Sequence, residues 1–292
     1  MMDVPFAQTS PMRRADTNTK PSFVMPARAC DTHLHVFEPG FPAVPNPLYT
    51  FPDATLAQYL AVADRLGISR MVPVQPTYYG DDNSLMLSAL ARLGDRARGV
   101  ARVSEDAPRG VLDEYDRRGI RALRLDLFSR KDWPLDDLRR YADRMADLAH
   151  PRGWHLQFYA PGRVVHALLP SLSDLPVPFV VDHMGYMKQS DGLGDEGTAR
   201  VLAALAVGNC WIKLSGAYRV AEGRPLQAVS PLAEALVGAF PDRLIWGSDW
   251  PHLPDGQRDT GELLNLLAEW APDAGDRSRI LVDAPDILFY SH

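Results

Sequence analysis

His33 and His35 stand two residues apart at the end of a short apolar run, and His183 and Asp249 close two other such runs far down the chain. On an extended strand, residues two apart project to one face, so the first pair presents two imidazoles side by side. Three imidazoles and one carboxylate can do two kinds of chemistry. They can hold a single divalent ion such as zinc or manganese, in a closed tetrahedral site or one with an open position. They can also work without metal, the carboxylate taking a proton from water while the imidazoles polarise a carbonyl as its oxyanion develops. Any one of these histidines alone is more often a satisfied structural residue. It is the joint pattern that points to catalysis.

Residues so distant in sequence must be brought together by the elements that carry them. β-like runs recur at Ala29–His35, Arg70–Gln75, Gly99–Val103, Ala122–Phe128, Trp154–Tyr159, Phe179–His183, Trp211–Ser215 and Leu244–Asp249. Stretches near a 3.6-residue period lie between them, such as Leu56, Tyr59, Leu60, Ala63, Leu66 and Leu135, Leu138, Tyr141, Met145, Leu148. Glycines after Leu66, Leu93, Arg118 and Arg152 mark helix stops. Strand–helix alternation repeated eight times over ~260 residues describes an α/β fold, a parallel (β/α)8 TIM barrel, whose active site forms at the C-terminal strand ends. The runner-up is an open doubly wound sheet. It calls for a glycine-rich loop after the first strand, where Asp31–Glu38 offers histidines instead.

The chain has 292 residues, 46% apolar and 23% charged, enough for a large core and incompatible with disorder. Residues 27–292 read as one catalytic domain. Residues 1–26 are polar and proline-punctuated, without the ~7–15-residue apolar block of an export signal, and read as a mobile arm pinned where Phe23 and Val24 meet the domain. No apolar run approaches the ~20 residues needed to cross a bilayer, which argues against a membrane role. The net charge of −6, with no long basic run, argues against nucleic acid. Two widely separated cysteines, Cys30 and Cys210, give neither a disulfide framework nor a zinc knuckle and point to the cytoplasm. Self-association as a homo-oligomer stays open. Residues 186–197, rich in glycine, read as a loop or lid.

Arg124 in the fourth strand, Arg130 in its loop and Arg219 after the seventh strand form a second constellation. An inward arginine needs an anion. The structural reading gives Arg124 a partner in Asp126, two residues on; the functional reading has the three guanidinium groups converge on a substrate carboxylate in bidentate geometry.

Asp31-Thr32-His33-Leu34-His35, Val181-Asp182-His183-Met184-Gly185 and Trp246-Gly247-Ser248-Asp249-Trp250-Pro251-His252 together resemble the amidohydrolase superfamily, in particular its 2-pyrone-4,6-dicarboxylate lactonase-like branch. The similarity covers roughly residues 28–290. It implies a hydrolase opening an anionic lactone, such as 2-pyrone-4,6-dicarboxylate, a muconolactone or an aldonolactone. Asp249 would be the general base and His33, His35 and His183 the electrophilic clamp, with no metal required. It also implies that the three arginines hold substrate carboxylates and that Tyr49, Thr77 and Tyr159 supply hydrogen bonds, with Thr77 where the branch has a serine.

Departures from the pattern matter. A binuclear site would need a bridging lysine or glutamate ending the fourth strand and a histidine ending the fifth; here those strands offer Arg124 and Asp126, then Gln157 and Tyr159. An arginine cannot shed its proton to become a ligand, so two metals are excluded. Tyr186 stands where the dicarboxylate enzyme has an arginine, which bears on the second anion. Lys213 reads equally as a pairing partner or a pocket residue, His252 as a loop-ordering or substrate residue, and Asp31 and Asp182 as supports. The alternatives are a mononuclear metal-dependent hydrolase or decarboxylase, a lactone isomerase in which a substrate hydroxyl replaces water, and a non-catalytic anion-binding barrel.

Overall fold

A computed structural model describes residues 6–7, 12–47, 49–50, 53–192, 194–253 and 256–291. Eight parallel strands occupy the eight expected places: β1 (Cys30–Leu34), β2 (Arg70–Pro73), β3 (Gly99–Ala101), β4 (Ile120–Asp126), β5 (His155–Tyr159), β6 (Phe179–Val181), β7 (Cys210–Leu214) and β8 (Leu244–Trp246). Most end one to three residues earlier than the apolar runs suggest, so His35, His183 and Asp249 sit in the turns just beyond their strands. Strands β3 to β8 form one continuous sheet in sequence order, and β1 pairs with β2 separately. Single bridges join the two groups, Leu34 to Trp250 on one side and Met71 to Ala97 and Val74 to Val100 on the other. The expected uninterrupted eight-stranded ladder is therefore a six-stranded curled sheet plus a pair.

Helices follow the strands: α1 (Leu56–Leu66), α2 (Ser84–Leu93), α3 (Arg109–Arg117), α4 (Leu135–Ala149), α5 (Gly162–Leu172), α6 (Gly194–Val207), α7 (Ala217–Ala221), α8 (Ser230–Ala239), α9 (Thr260–Trp270) and α10 (Ala274–Ser278). The first shows why such segments fold locally. Thr55 and Gln58 form a reciprocal capping box at its start, and Gly67 takes the left-handed conformation (φ 72°) that ends it. The stretch expected as a lid contains a helical turn at Gln189–Asp191 and then the first residues of α6. None of the helices among the described residues is long and apolar enough to cross a membrane.

One large apolar cluster fills the space between strands and helices. A second lies inside the curl of the sheet, where Cys30, Val100, Ala122, Val180, Trp211 and Ile245 meet Leu288 and Phe289 from the C-terminal segment. Alternation along the strands then dictates which residues share that inner face. Counting by twos from Ala122 gives Arg124 and Asp126; from Trp211, Lys213 and Ser215; from Val180, Asp182. In β1 the pairing register slips between Asp31 and Leu34, an irregularity that re-aims the chain and delivers both His33 and His35 to the inner side. The arm is held at several points: Asn18 is buried and accepts from Thr260 N, and Asp259 accepts from Thr19 N and pairs with Arg13. Phe23 packs on the main cluster, whereas Val24, expected to pin the arm with it, is 93% exposed.

Candidate active site

At the C-terminal ends of the strands the structure brings His33, His35, His183 and Asp249 into one buried cluster. His33 Nε2 lies 3.2 Å from His35 Nε2 and 3.8 Å from Asp249 Oδ1, and His183 Nε2 lies 4.0 Å from the same oxygen. Each ring is anchored at its other nitrogen: His35 Nδ1 by the Val74 carbonyl at 2.8 Å, His183 Nδ1 by Ser215 Oγ at 2.9 Å. The backbone is strained where these side chains emerge. Asp249 (φ 61°), His183 and Met184 (φ 52° each) and Tyr186 (φ 50°) all hold left-handed conformations that cost non-glycine residues ~1–3 kcal/mol each. Gly247 lets β8 lie against β1, since a Cβ there would stand 2.5 Å from the Cβ of His33.

Asp249 is asymmetric. Its Oδ2 accepts from Tyr218 OH at 2.5 Å and from Arg219 Nε at 2.6 Å. Its Oδ1 is buried, accepts no hydrogen bond among the described residues, and faces the two imidazoles. Burial pushes the carboxyl up, but Arg219, His183 and His33 outweigh it and hold Asp249 well below the usual carboxylate range. Burial also holds the imidazoles neutral, His183 down to about 3 and His35 well below its ordinary value.

Beneath the cluster runs a second buried layer. Lys213 Nζ donates to the Thr32 carbonyl at 3.0 Å and lies 3.2 Å from both Asp182 Oδ1 and His33 Nδ1. Gln157 Nε2 donates to Asp182 Oδ2 at 3.1 Å. Asp31 accepts from the backbone N–H groups of His33 and Ser248 and from Tyr59 OH, tying β1 to the turn that carries Asp249.

The arginines do not all gather. Arg219 reaches Asp249. Arg124 is buried, donates to the Gln75 carbonyl at 2.7 Å and lies over the ring of Tyr159 at 4.5 Å. Asp126 is not its partner; that carboxylate accepts from Thr77 Oγ1 at 2.7 Å and from the backbone N–H of Phe128. Arg130 bonds the Asp126 carbonyl and stacks on Tyr141 and Trp133, on the α4 side. Tyr186 packs against His183 and Tyr159, with ring centroids 5.4 and 5.8 Å apart. The side chain of Tyr49 lies outside the described residues. His252 bonds Thr260 Oγ1 at 2.9 Å. Sequence reasoning missed Tyr218 and Ser215. Ser215 carried a signal, being two residues after Lys213 on the inner face, whereas Tyr218, in the short helix α7, carried none.

A family model described as amidohydrolase matches residues 30–289. The chain is 37% identical over 288 residues to a 2-pyrone-4,6-dicarboxylate hydrolase of Comamonas testosteroni, covering 93% of each protein. It is 36% identical over 276 residues to a 4-sulfomuconolactone hydrolase of Rhizobium radiobacter, covering 92% of each. Among solved structures, a probable 2-pyrone-4,6-dicarboxylic acid hydrolase from Acinetobacter baumannii with citric acid bound superposes with a TM-score of 0.80 at 27% identity, over 90% of this chain and 99% of that one.

Proposed function

The chain belongs to the amidohydrolase family, and from that premise we propose that it hydrolyses a small lactone bearing carboxylates, with Asp249 as general base and no required metal. The observation that carries this reading is the buried Oδ1 of Asp249, without a hydrogen bond among the described residues and set between His33 and His183. A water there gives its proton to Oδ1 as its oxygen adds to the lactone carbonyl. The displaced electron pair settles on the carbonyl oxygen, where the N–H of His183, whose other nitrogen is bonded to Ser215 Oγ, holds it. Collapse breaks the ring C–O bond, and Asp249 returns the proton to the departing oxygen. The names of the relatives support an anionic lactone as substrate.

A carboxylate held this low is a weak base in the resting site. The substrate corrects this: its own carboxylate competes for the Arg219 guanidinium and releases part of the charge that depresses Asp249. Because the bond to Asp249 uses Nε, the terminal amino groups of Arg219 serve the substrate. Arg124 beside Tyr159 holds the second anion. Arg130 would have to leave Tyr141 and Trp133 to join them. We read the eight strands as a closed (β/α)8 barrel that positions these groups; the bridges on both sides of the β1–β2 pair, and an inner cluster drawing on seven of the strands or their ends, support closure.

The donor set would also suit one divalent ion. His33, His35 and Asp249 each offer a ligand atom within 4.8 Å of the others, and His183 stands beside them. Such an ion, when bound, would polarise the carbonyl as a Lewis acid. Against it stands Lys213, whose ammonium lies 3.2 Å from His33 Nδ1 and would face the cation across a single ring. Assaying 2-pyrone-4,6-dicarboxylate, muconolactone and aldonolactone substrates by absorbance, with and without chelator, tests the proposal. Turnover of an anionic lactone that persists in chelator is expected. Turnover lost to chelator and restored by zinc or manganese would replace this reading with the mononuclear metal hydrolase.

A further inference from the structure

The ring protons of the cluster follow from what each partner can do. His35 Nδ1 meets the Val74 carbonyl, which only accepts, so that nitrogen carries a proton. The two Nε2 atoms of His35 and His33 lie 3.2 Å apart, and a hydrogen bond between them needs one lone pair, which His35 supplies because its proton is on Nδ1. His33 Nε2, 3.2 Å away, must donate to it. His33 Nδ1 lies 3.2 Å from Lys213 Nζ, and an ammonium only donates, so that nitrogen accepts. Two groups compete for that nitrogen, Lys213 Nζ at 3.2 Å and Asp182 Oδ1 at 3.3 Å. Only the ammonium has a proton to give. It bonds Thr32 O and His33 Nδ1 and pairs by charge with Asp182 Oδ1 at 3.2 Å.

We infer that Lys213 is a positioning residue that locks His33 in the tautomer protonated at Nε2, and thereby keeps that nitrogen a hydrogen-bond donor rather than a metal ligand. The inference rests on the metal-independent reading above and gives it a structural cause. To ligate an ion through Nε2, His33 would have to carry its proton on Nδ1 and donate it to a carboxylate, the usual support of a metal-bound imidazole. Asp182 is placed to receive it. Lys213 blocks the change twice, by occupying Nδ1 and by setting a positive charge beside the ligand. Substituting the lysine by a methionine of similar length removes both obstacles and leaves Asp182 in place.

The test uses full-length protein labelled with 15N-histidine, as wild type and as Lys213→Met. Long-range 15N–1H spectra assign the His33 proton, and competition with a chromophoric chelator measures zinc affinity. Wild type is expected to show His33 protonated at Nε2 and bare at Nδ1. The variant is expected to move the proton to Nδ1 and to bind zinc about 10- to 100-fold more tightly, the scale of changes in a ligand's supporting shell. A wild-type His33 already protonated at Nδ1, or a folded variant with unchanged tautomer and zinc affinity, overturns the inference. Should Lys213→Met not fold, the wild-type spectrum still decides, and Lys213→Met/Asp182→Asn provides a variant without the stranded charge. Loss of wild-type turnover in chelator alongside the expected tautomer would contradict the proposed function and overturn the exclusion of metal by Lys213, whereas a wild type protonated at Nδ1 that still turns over in chelator would overturn the inference alone.

Discussion

Replacing Asp182 by asparagine removes one charge from a pair that is wholly buried, Lys213 Nζ to Asp182 Oδ1 at 3.2 Å with both side chains at 0% exposure. At an effective dielectric of ~20, two unit charges at that distance attract by about 5 kcal/mol. Asparagine keeps an oxygen that can accept from the ammonium, so part of the contact survives. Losing one partner of a buried pair costs about 3–5 kcal/mol, because the remaining ion stays desolvated. We expect Asp182→Asn to lose about 3 kcal/mol or more at pH 7, a large part of the ~5–15 kcal/mol that holds a typical domain. Urea unfolding followed by tryptophan fluorescence measures it. The double variant Asp182→Asn/Lys213→Met, which strands no ion, should recover most of the loss. A single-variant loss below about 1 kcal/mol, or no recovery in the double variant, would refute the claim that both groups are ionised and bear on each other.

Gly247→Ala forces a Cβ to within 2.5 Å of the His33 Cβ and 2.9 Å of its backbone nitrogen, so β1 must shift. With folding intact by circular dichroism, kcat should fall about 10²-fold, the cost of an ångström-scale misplacement; unchanged kcat would detach His33 from the chemistry. Arg124→Met should raise KM for a carboxylate-bearing lactone about tenfold or more, the scale of one charged hydrogen bond, with a smaller change in kcat. Acid should weaken the fold through two buried histidines, His183 held down to about 3 and His166 to about 4 by burial. Both folded values lie below the unfolded one, so the unfolded chain binds more protons as pH falls below ~6.5, and stability drops by ~1.4 kcal/mol per pH unit for each group. Thermal melts from pH 7 to 5 check the sign, and His166→Leu should flatten the slope.

The strands and the main cluster were legible in the sequence because one physical rule wrote both. Short apolar runs had to bury, and the polar residues at their C-terminal ends had nowhere to lie but the common face. Edges were less legible. Apolar character continues past the last ladder bond, which is why His35, His183 and Asp249 look like strand residues and are turn residues. The slip in β1 register left no mark in composition, although the HxH spacing anticipated its result. Long side chains were least legible. Arg124 could be placed on the inner face by alternation, but its reach to the Gln75 carbonyl, and the capture of Asp126 by Thr77, depend on neighbouring strands. Arg130 illustrates the same limit: a flexible guanidinium beside Tyr141 finds the ring rather than the cluster. Tyr218 bonds Asp249 only because α7 turns it back, a geometry no local pattern encodes.

The measurement bearing most directly on the central claim is the turnover of Asp249→Asn on the best lactone, set beside wild type in chelator. The amide keeps the shape and loses the proton acceptor. If Asp249 is the base, kcat/KM falls at least ~10²-fold while the fold and the chelated wild type are unaffected. An asparagine variant that stays within about tenfold of wild type would show that the proton goes elsewhere, and the account of this site would fail with it.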